Sequence, residues 1–140
     1  MSETLRFEQV HVGDELPPLD VELSAAVIVG GALASRDFTP VHHSRAAAQA
    51  QGMSDVFMNI LTTNGYVGRY VTDWAGVDAL LQNVSIKLGA PNVVGDTMQM
   101  TGRVVAAEAE TGVVVVEVTG RNSWGNHVAG TVRVALPAGA

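Results

Sequence analysis

Apolar residues recur at helical spacing over one long segment in the middle of the chain. They extend from Val56 to Trp74, and Gly76 follows as a natural stop. Ser54 or Asp55 offers a capping side chain in front of the segment. Because the apolar face is broad, the pattern predicts one long helix that the rest of the protein largely encloses.

The pattern before this helix is weaker. Val10–Asp14, followed by Pro17-Pro18, predicts a short strand or turn, and the weak alternation of Asp20–Val29 predicts a strand. Gly30-Gly31 interrupts the chain there, and Ala32–Ser35 predicts a short helix or turn. The alanine-rich residues 44–51 then predict a second helix, with a serine cap at its start and a glycine stop after it.

Beyond Leu81 the pattern changes to strands separated by glycine-containing turns. The turns are too short for helical crossovers, so neighbouring strands are expected to pair antiparallel. An N-terminal strand, a buried helix and an antiparallel run predict an α+β domain whose sheet wraps around the helix. The predicted strands are Gln82–Leu88, Thr97–Ala107, Val113–Gly120 and Val128–Leu136.

Length and composition narrow the class of protein. The 140 residues suffice for one domain, 1–140, and the net charge of -6 with a single lysine excludes a basic surface for nucleic acid. The absence of cysteine excludes disulfides and a thiolate nucleophile. The polar N-terminus has no secretory pattern, and no segment stays apolar long enough to span a bilayer. We therefore expect a soluble, cytoplasmic protein that does not bind membranes.

Asp37 and His42 are the leading candidates for chemistry. They lie five positions apart around Pro40, which stiffens the loop and pushes Thr39 toward an extended conformation. An imidazole and a carboxylate held together can orient and deprotonate water. The alternative is structural, with Asp37 capping a turn and His42 bonded to backbone.

Other kinds of site have less support. His43 beside His42 suggests a metal ligand, but His11 and His127 lie too far away in the sequence to complete a zinc set, so we expect no metal and assign His43 to the loop or a subunit contact. No Gly-x-Ser-x-Gly elbow is present. By contrast, the unpaired N–H groups in the first turn of the long helix can stabilise an enolate or thioester oxyanion.

Residues 36–44, Arg-Asp-Phe-Thr-Pro-Val-His-His-Ser, resemble the motif Gly-Asp-x-Asn-Pro-Leu/Ile-His-x-Asp of the MaoC-like hydratases of the hot-dog fold. The order and the offset agree, although Thr39 replaces Asn and Ser44 replaces the last Asp. Residues 84–96 and 122–128 are similar to that family's strand after the central helix and its last hairpin. At the helix start the family usually has His-Gly-Met, and this chain has Asn59-Ile60-Leu61.

This resemblance implies an enoyl-CoA hydratase of the hot-dog fold. Asp37 and His42 would activate water for a 2,3-unsaturated acyl-CoA, and backbone N–H groups at Asn59 and Ile60 would hold the thioester oxygen. The CoA thioester is the substrate, and neither a cofactor nor a metal is implied. Two alternatives stay open, a hot-dog acyl-CoA thioesterase and a non-catalytic partner of another MaoC-like subunit, the latter because of the changes at Ser44 and Ile60.

Phe57–Thr62, Arg69–Gly76 and Gly120–Asn122 are similar to a narrower group, the small subunits of the actinobacterial hydratases of steroid side-chain degradation and cholesterol catabolism. That similarity implies a steroid-CoA substrate and a hetero-oligomer with a larger MaoC-like subunit. A lone hot-dog sheet leaves an edge exposed, so a dimer is expected in any case, otherwise a homodimer. Basic residues that could meet the CoA phosphates are Lys87, Arg36 and Arg45, and none is assigned that role.

Overall fold

Five antiparallel strands form one sheet, and a long helix packs across it. The computed structural model describes residues 3–139. The sheet has the order β1-β3-β4-β5-β2, and each neighbouring pair is antiparallel. The strands are β1 Glu15–Glu22, β2 Leu80–Leu88, β3 Thr97–Glu108, β4 Val113–Asn122 and β5 Gly125–Ala135. The helices are α1 Ala25–Ala34, α2 Arg45–Ala50 and α3 Ile60–Ala75, with 3₁₀ turns at Phe7–Gln9 and Pro40–His42.

The core lies between α3 and the sheet. Val67, Val71 and Ala75 of α3 are fully buried against the sheet face that carries Met98 and Val116, also fully buried. Val67, Val71 and Ala75 follow one another at intervals of four, which places them on one side of the helix. This arrangement confirms the predicted α+β hot-dog architecture, in which the sheet curves around a central helix.

The predicted elements before the site are wrong in part. The predicted turn lies at Val12-Gly13, and Pro17 and Pro18 lie inside β1, which begins earlier than the predicted strand at Asp20. The two prolines are allowed there because β1 is an edge strand with a register shift between Leu16 and Leu19.

The predicted strand Asp20–Val29 is strand only as far as Glu22, and its second half, from Ala25, belongs to helix α1, whose first turn is capped by Ser24. The predicted break at Gly30-Gly31 is wrong, because α1 continues to Ala34, so the predicted helix or turn at Ala32–Ser35 is the end of that helix.

Close packing of α1 on α3 accounts for one of the two glycines, Gly31. A Cβ at Gly31 would overlap the Thr62 side chain, whereas a Cβ at Gly30 would meet nothing within 4 Å. Gly31 therefore allows the two helices to touch at the start of α3.

The central helix begins later than its apolar pattern predicts. Residues 54–58 are not helical, and Phe57 forms an isolated bridge with Val93. Asn59 is the actual N-cap, so the predicted caps Ser54 and Asp55 are wrong. The predicted end is confirmed, since Gly76 follows Ala75 with φ of 97°. The second helix is confirmed as well, with Ser44 as its cap. No helix among residues 3–139 is long and apolar enough to cross a membrane.

Candidate active site

The end of α1 delivers Asp37 to the site. The Asp37 N–H donates to Ala32 O at 2.9 Å, and the Arg36 N–H donates to Leu33 O at 3.1 Å. These two bonds end α1 in a Schellman motif. Arg36 takes the left-handed conformation, φ 57°, that this motif usually assigns to glycine. The chain therefore turns sharply just before Asp37, at some cost in backbone strain.

Asp37 and His42 lie side by side. Asp37 Oδ2 is 3.4 Å from His42 Nε2, and their side chains are 23% and 10% exposed. The 3₁₀ turn Pro40–His42 brings His42 back toward the carboxylate. The 3.4 Å separation exceeds the usual length of a direct hydrogen bond, yet the two atoms are close enough for one small polar molecule beside them to contact both.

The position of its ring fixes the tautomer of neutral His42. Nδ1 lies 2.6 Å from Phe57 O, and a carbonyl oxygen only accepts, so Nδ1 carries the hydrogen. Nε2 is then the unprotonated nitrogen, and it is the one beside Asp37. The Phe57 ring packs edge-on against the imidazole, with centroids 5.0 Å apart. Neutral His42 therefore presents a base toward the carboxylate.

The Asn59 side chain joins this pair to α3. Its Oδ1 accepts from the Thr62 N–H at 3.0 Å, which caps the helix. Its Nδ2 consequently faces the other way and donates to Asp37 Oδ2 at 3.0 Å and to Ser35 Oγ at 2.9 Å. One amide thus fixes both the helix start and the carboxylate.

Asp37 is held as an anion. Thr39 donates to Oδ1 through its hydroxyl at 2.7 Å and its N–H at 3.2 Å. Bonds from Thr39 and then Asn59 lower the pKa of Asp37 from 3.8 to about 2. Hydrogen bonds that favour the charged form have this direction of effect. At neutral pH Asp37 is therefore a weak base, suited to orienting a neighbour and stabilising a nearby positive charge.

The first turn of α3 offers donors beside the pair. Within residues 3–139, nothing accepts from the backbone N–H groups of Asn59, Ile60 or Leu61. The Ile60 side chain is exposed, as is that of Leu61. These N–H groups carry the partial positive charge of a helix N-terminus and can hold an oxyanion.

The other candidates lie elsewhere. His43 is exposed and its Nε2 contacts Phe38 O at 3.2 Å. Ser44 Oγ accepts from Ala47 N–H, so it caps α2 and plays no part in the pair. His127 is buried on β5, and its Nδ1 lies 2.7 Å from Ala90 O. No cluster of three or more metal-binding side chains occurs in residues 3–139.

Sequence reasoning missed the side chains of Thr39, Asn59 and Ser35. Thr39 was visible only as a departure from the family motif, yet its hydroxyl gives the carboxylate a donor. Asn59 carried a usable signal, since asparagine is a preferred N-cap residue. The apolar pattern instead predicted an earlier helix start, because Val56 and Phe57 continue the helical spacing through a segment that is extended.

The chain matches one described protein family and a named relative. Residues 6–132 match the family described as MaoC like domain. The chain is 46% identical over 125 residues to the 3-oxo-4,17-pregnadiene-20-carboxyl-CoA hydratase beta subunit of Mycobacterium tuberculosis, covering 89% of this chain and 95% of that protein.

Solved structures match over most of the chain. One chain of the ChsH1-ChsH2 complex from Mycobacterium tuberculosis superposes with a TM-score of 0.87 at 46% identity, over 90% of this chain and 98% of that one. The (R)-hydratase from A. caviae involved in PHA biosynthesis gives a TM-score of 0.82 at 22% identity, over 93% and 99% of the two chains, which is a likeness of fold.

Proposed function

Because the chain belongs to the family of MaoC-like domains, we propose that it is the catalytic small subunit of an enoyl-CoA hydratase. It adds water to the 2,3 double bond of a bulky, steroid-type acyl-CoA. The Asp37–His42 pair beside the open first turn of α3 carries this proposal. The name of the 46% identical relative supports a steroid-CoA as the substrate.

Water is activated between the two side chains. It donates one hydrogen to His42 Nε2 and one to Asp37 Oδ2, which points its oxygen lone pair at the β-carbon of the substrate. As the C–O bond forms, His42 takes the proton and Asp37 stabilises the imidazolium. His42 then returns a proton to the α-carbon, so the site ends in its starting state.

The thioester oxygen gains negative charge when water attacks. Backbone N–H groups at Asn59 and Ile60, together with that of Leu61, face this charge from the first turn of α3. A donor aimed at charge that develops in the transition state accelerates the reaction, since it binds the ground state less strongly. The CoA thioester supplies the activation, and the proposal includes no cofactor or metal.

A larger MaoC-like partner completes the assembly in this proposal. β2 is an edge strand, and Leu80, Leu81 and Leu88 on it are exposed. An apolar edge of this kind needs a cover. The matched structure is that of a two-component complex, which supports a hetero-oligomer over a homodimer. A cytoplasmic location remains a prediction from the sequence.

The two alternatives have less support. Asp73 is the one carboxylate within α3, and it lies at the C-terminal end, 64% exposed and paired with Arg69, where it cannot face the thioester. The change at Ser44 does not argue for a decayed site, because serine caps α2 as aspartate would. Hydration is therefore favoured over thioester cleavage or a purely structural role.

The test uses the subunit co-expressed with its partner and 3-oxo-4,17-pregnadiene-20-carboxyl-CoA as substrate. Loss of enoyl absorbance without release of free thiol is expected. Asp37→Ala and His42→Ala should each reduce kcat by at least about 10²-fold while the complex remains folded. Thiol release would instead indicate a thioesterase. Activity that survives both substitutions would indicate a non-catalytic partner.

A further inference from the structure

A second buried histidine, His127, contacts the first turn of α3. His127 of β5 is 2% exposed. Among residues 3–139, its ring forms no hydrogen bond with Asp37 or His42. Its Nδ1 is 2.7 Å from Ala90 O, so Nδ1 carries the hydrogen. Its Nε2 is 2.8 Å from Thr63 Oγ1, and the Thr63 hydroxyl must donate to it.

Thr63 occupies a position that controls the helix start. It is fully buried, and its N–H donates to Asn59 O at 3.2 Å, the first backbone bond of α3. Its hydroxyl also faces Asn59 O, at 3.4 Å, but the shorter contact to His127 takes its single hydrogen. Thr63 is thereby tied both to Asn59 and to the sheet.

We propose that Thr63 and His127 are positioning residues for the active site, holding the first turn of α3 against β5 and the loop at Ala90. The proposal rests on the proposed hydratase function. The turn they fix contains Ile60 and Leu61, whose N–H groups meet the thioester oxygen. It also contains Asn59, whose amide holds Asp37 at 3.0 Å.

The hydrogen bonds that join Ala90, His127 and Thr63 favour one fixed position of the first turn of α3. Ala90 O, the imidazole and the Thr63 hydroxyl form a chain of uncharged groups in which each donor has an acceptor. Burial lowers the pKa of His127, so the neutral ring that this chain requires is the stable form. A buried and fully satisfied network of this type specifies one arrangement.

The first test replaces the Thr63 hydroxyl. In the co-expressed complex with the pregnadiene carboxyl-CoA, Thr63→Val should lower kcat about 10- to 100-fold with little change in KM, because a small displacement of oriented donors weakens mainly the transition state. Thr63→Ser keeps the hydroxyl and should restore most of the rate. Thr72→Val is the matched control, since it removes a threonine hydroxyl from the far end of the same helix, where that hydroxyl donates to the backbone carbonyls of Gly68 and Arg69.

A double-mutant cycle tests the link to His127. His127→Asn keeps a donor near Ala90 but removes the Nε2 acceptor, and should resemble Thr63→Val. If one hydrogen bond carries the effect, the double variant should be no slower than either single one. Additive losses, a Thr63→Val rate within twofold of wild type, or a Thr63→Ser variant as slow as Thr63→Val would each overturn the proposal.

Amide hydrogen exchange gives a readout that does not depend on activity. In Thr63→Val the Thr62 N–H, which donates to Asn59 Oδ1, should exchange at least tenfold faster, and in Thr72→Val it should not. Unchanged exchange in Thr63→Val would overturn the proposal. If the wild-type complex hydrates nothing but exchange changes as expected, the proposed function fails and the positioning of the helix start stands.

Discussion

The two buried histidines, His42 and His127, are bonded in the same way on one side and differently on the other. Each has Nδ1 beside a backbone carbonyl oxygen, at 2.6 Å and 2.7 Å. Nε2 of His127 is used by the Thr63 hydroxyl at 2.8 Å. Nε2 of His42 faces the Asp37 carboxylate at 3.4 Å. Both ring nitrogens of His127 are therefore bonded within the protein, whereas Nε2 of His42 is left for a substrate or water.

This difference separates His42, the proposed catalytic histidine, from His127, the proposed positioning histidine. Burial does not, because both rings are buried. Contact with backbone does not, because both have it. What separates them is a fixed tautomer whose remaining nitrogen lies beside an anion. Asn59 belongs to both regions, since its amide holds Asp37 and its carbonyl faces Thr63.

The largest expected effect comes from removing the anion that distinguishes the His42 region. Asp37→Asn keeps the shape but loses the charge that orients water and stabilises the imidazolium in the proposed mechanism. We expect kcat to fall by about 10²-fold or more, measured as initial loss of enoyl absorbance at saturating substrate. A folded variant within threefold of wild type would show that the carboxylate does not define this region.

The close contact between α1 and α3, next to the His42 region, should contribute to the stability of the protein. Gly31→Ala pushes a Cβ into Thr62 and should destabilise the protein by about 1–3 kcal/mol in urea unfolding. Gly30→Ala, one position away with open space around it, should be neutral or stabilising by about 0.5–1 kcal/mol. Equal effects of the two substitutions would contradict the contact between α1 and α3.

Asn59→Ser separates the two roles of the Asn59 side chain, which caps α3 and donates to Asp37. Serine still caps α3 but cannot donate to Asp37, so the melting temperature should change little while kcat falls about tenfold. Circular dichroism and initial rates on the same preparation measure both quantities. A variant with wild-type kcat would mean that the amide does not position the carboxylate.

Thr39→Val should raise the pKa of Asp37. The Thr39 hydroxyl is the main cause of the low pKa of Asp37, so the variant pKa should rise from about 2 toward 3.8. In the wild type, stability from this group is complete above pH 3.8 and is lost as the pH falls toward 2. In the variant this contribution should be smaller at every pH above 2, because the folded and unfolded pKa values of Asp37 lie closer together.

A carboxyl ¹³C titration in the folded protein measures this shift. Thr111→Val is the matched control, because Thr111 makes a similar hydroxyl bond to Glu108 at 3.1 Å, far from the site in sequence. That control should leave the titration of Asp37 unchanged. A Thr39→Val protein that titrates Asp37 near pH 2 would contradict the assigned cause.

Sequence alone predicted the parts of the fold that local chemistry controls. The alternation of apolar residues and the glycine turns located β2 to β5, and Gly76 located the end of α3. It failed where tertiary contacts decide. The prolines of β1 are allowed by an edge strand, Gly31 is allowed in α1 by Thr62, and residues 54–58 are held extended by pairing with the segment at Val93.

The candidate site was predicted in part for the same reason. The spacing of Asp37 and His42 follows from one stiff loop and was visible in the sequence. Asn59 and Thr63 act through contacts with residues 22 and 64 positions away, and no local pattern reports these. The roles of Asp37, His42, Asn59 and Ile60 remain predictions.

The most direct test of the difference between the two histidines is the same substitution at both. His42→Asn and His127→Asn each keep a donor near the backbone carbonyl and remove Nε2, and kcat is measured in the same co-expressed complex. We expect His42→Asn to lose at least about 10²-fold and to be at least tenfold slower than His127→Asn. Equal losses, or a His42→Asn variant that hydrates the steroid-CoA near the wild-type rate, would contradict the assignment of His42 as the group that moves the proton.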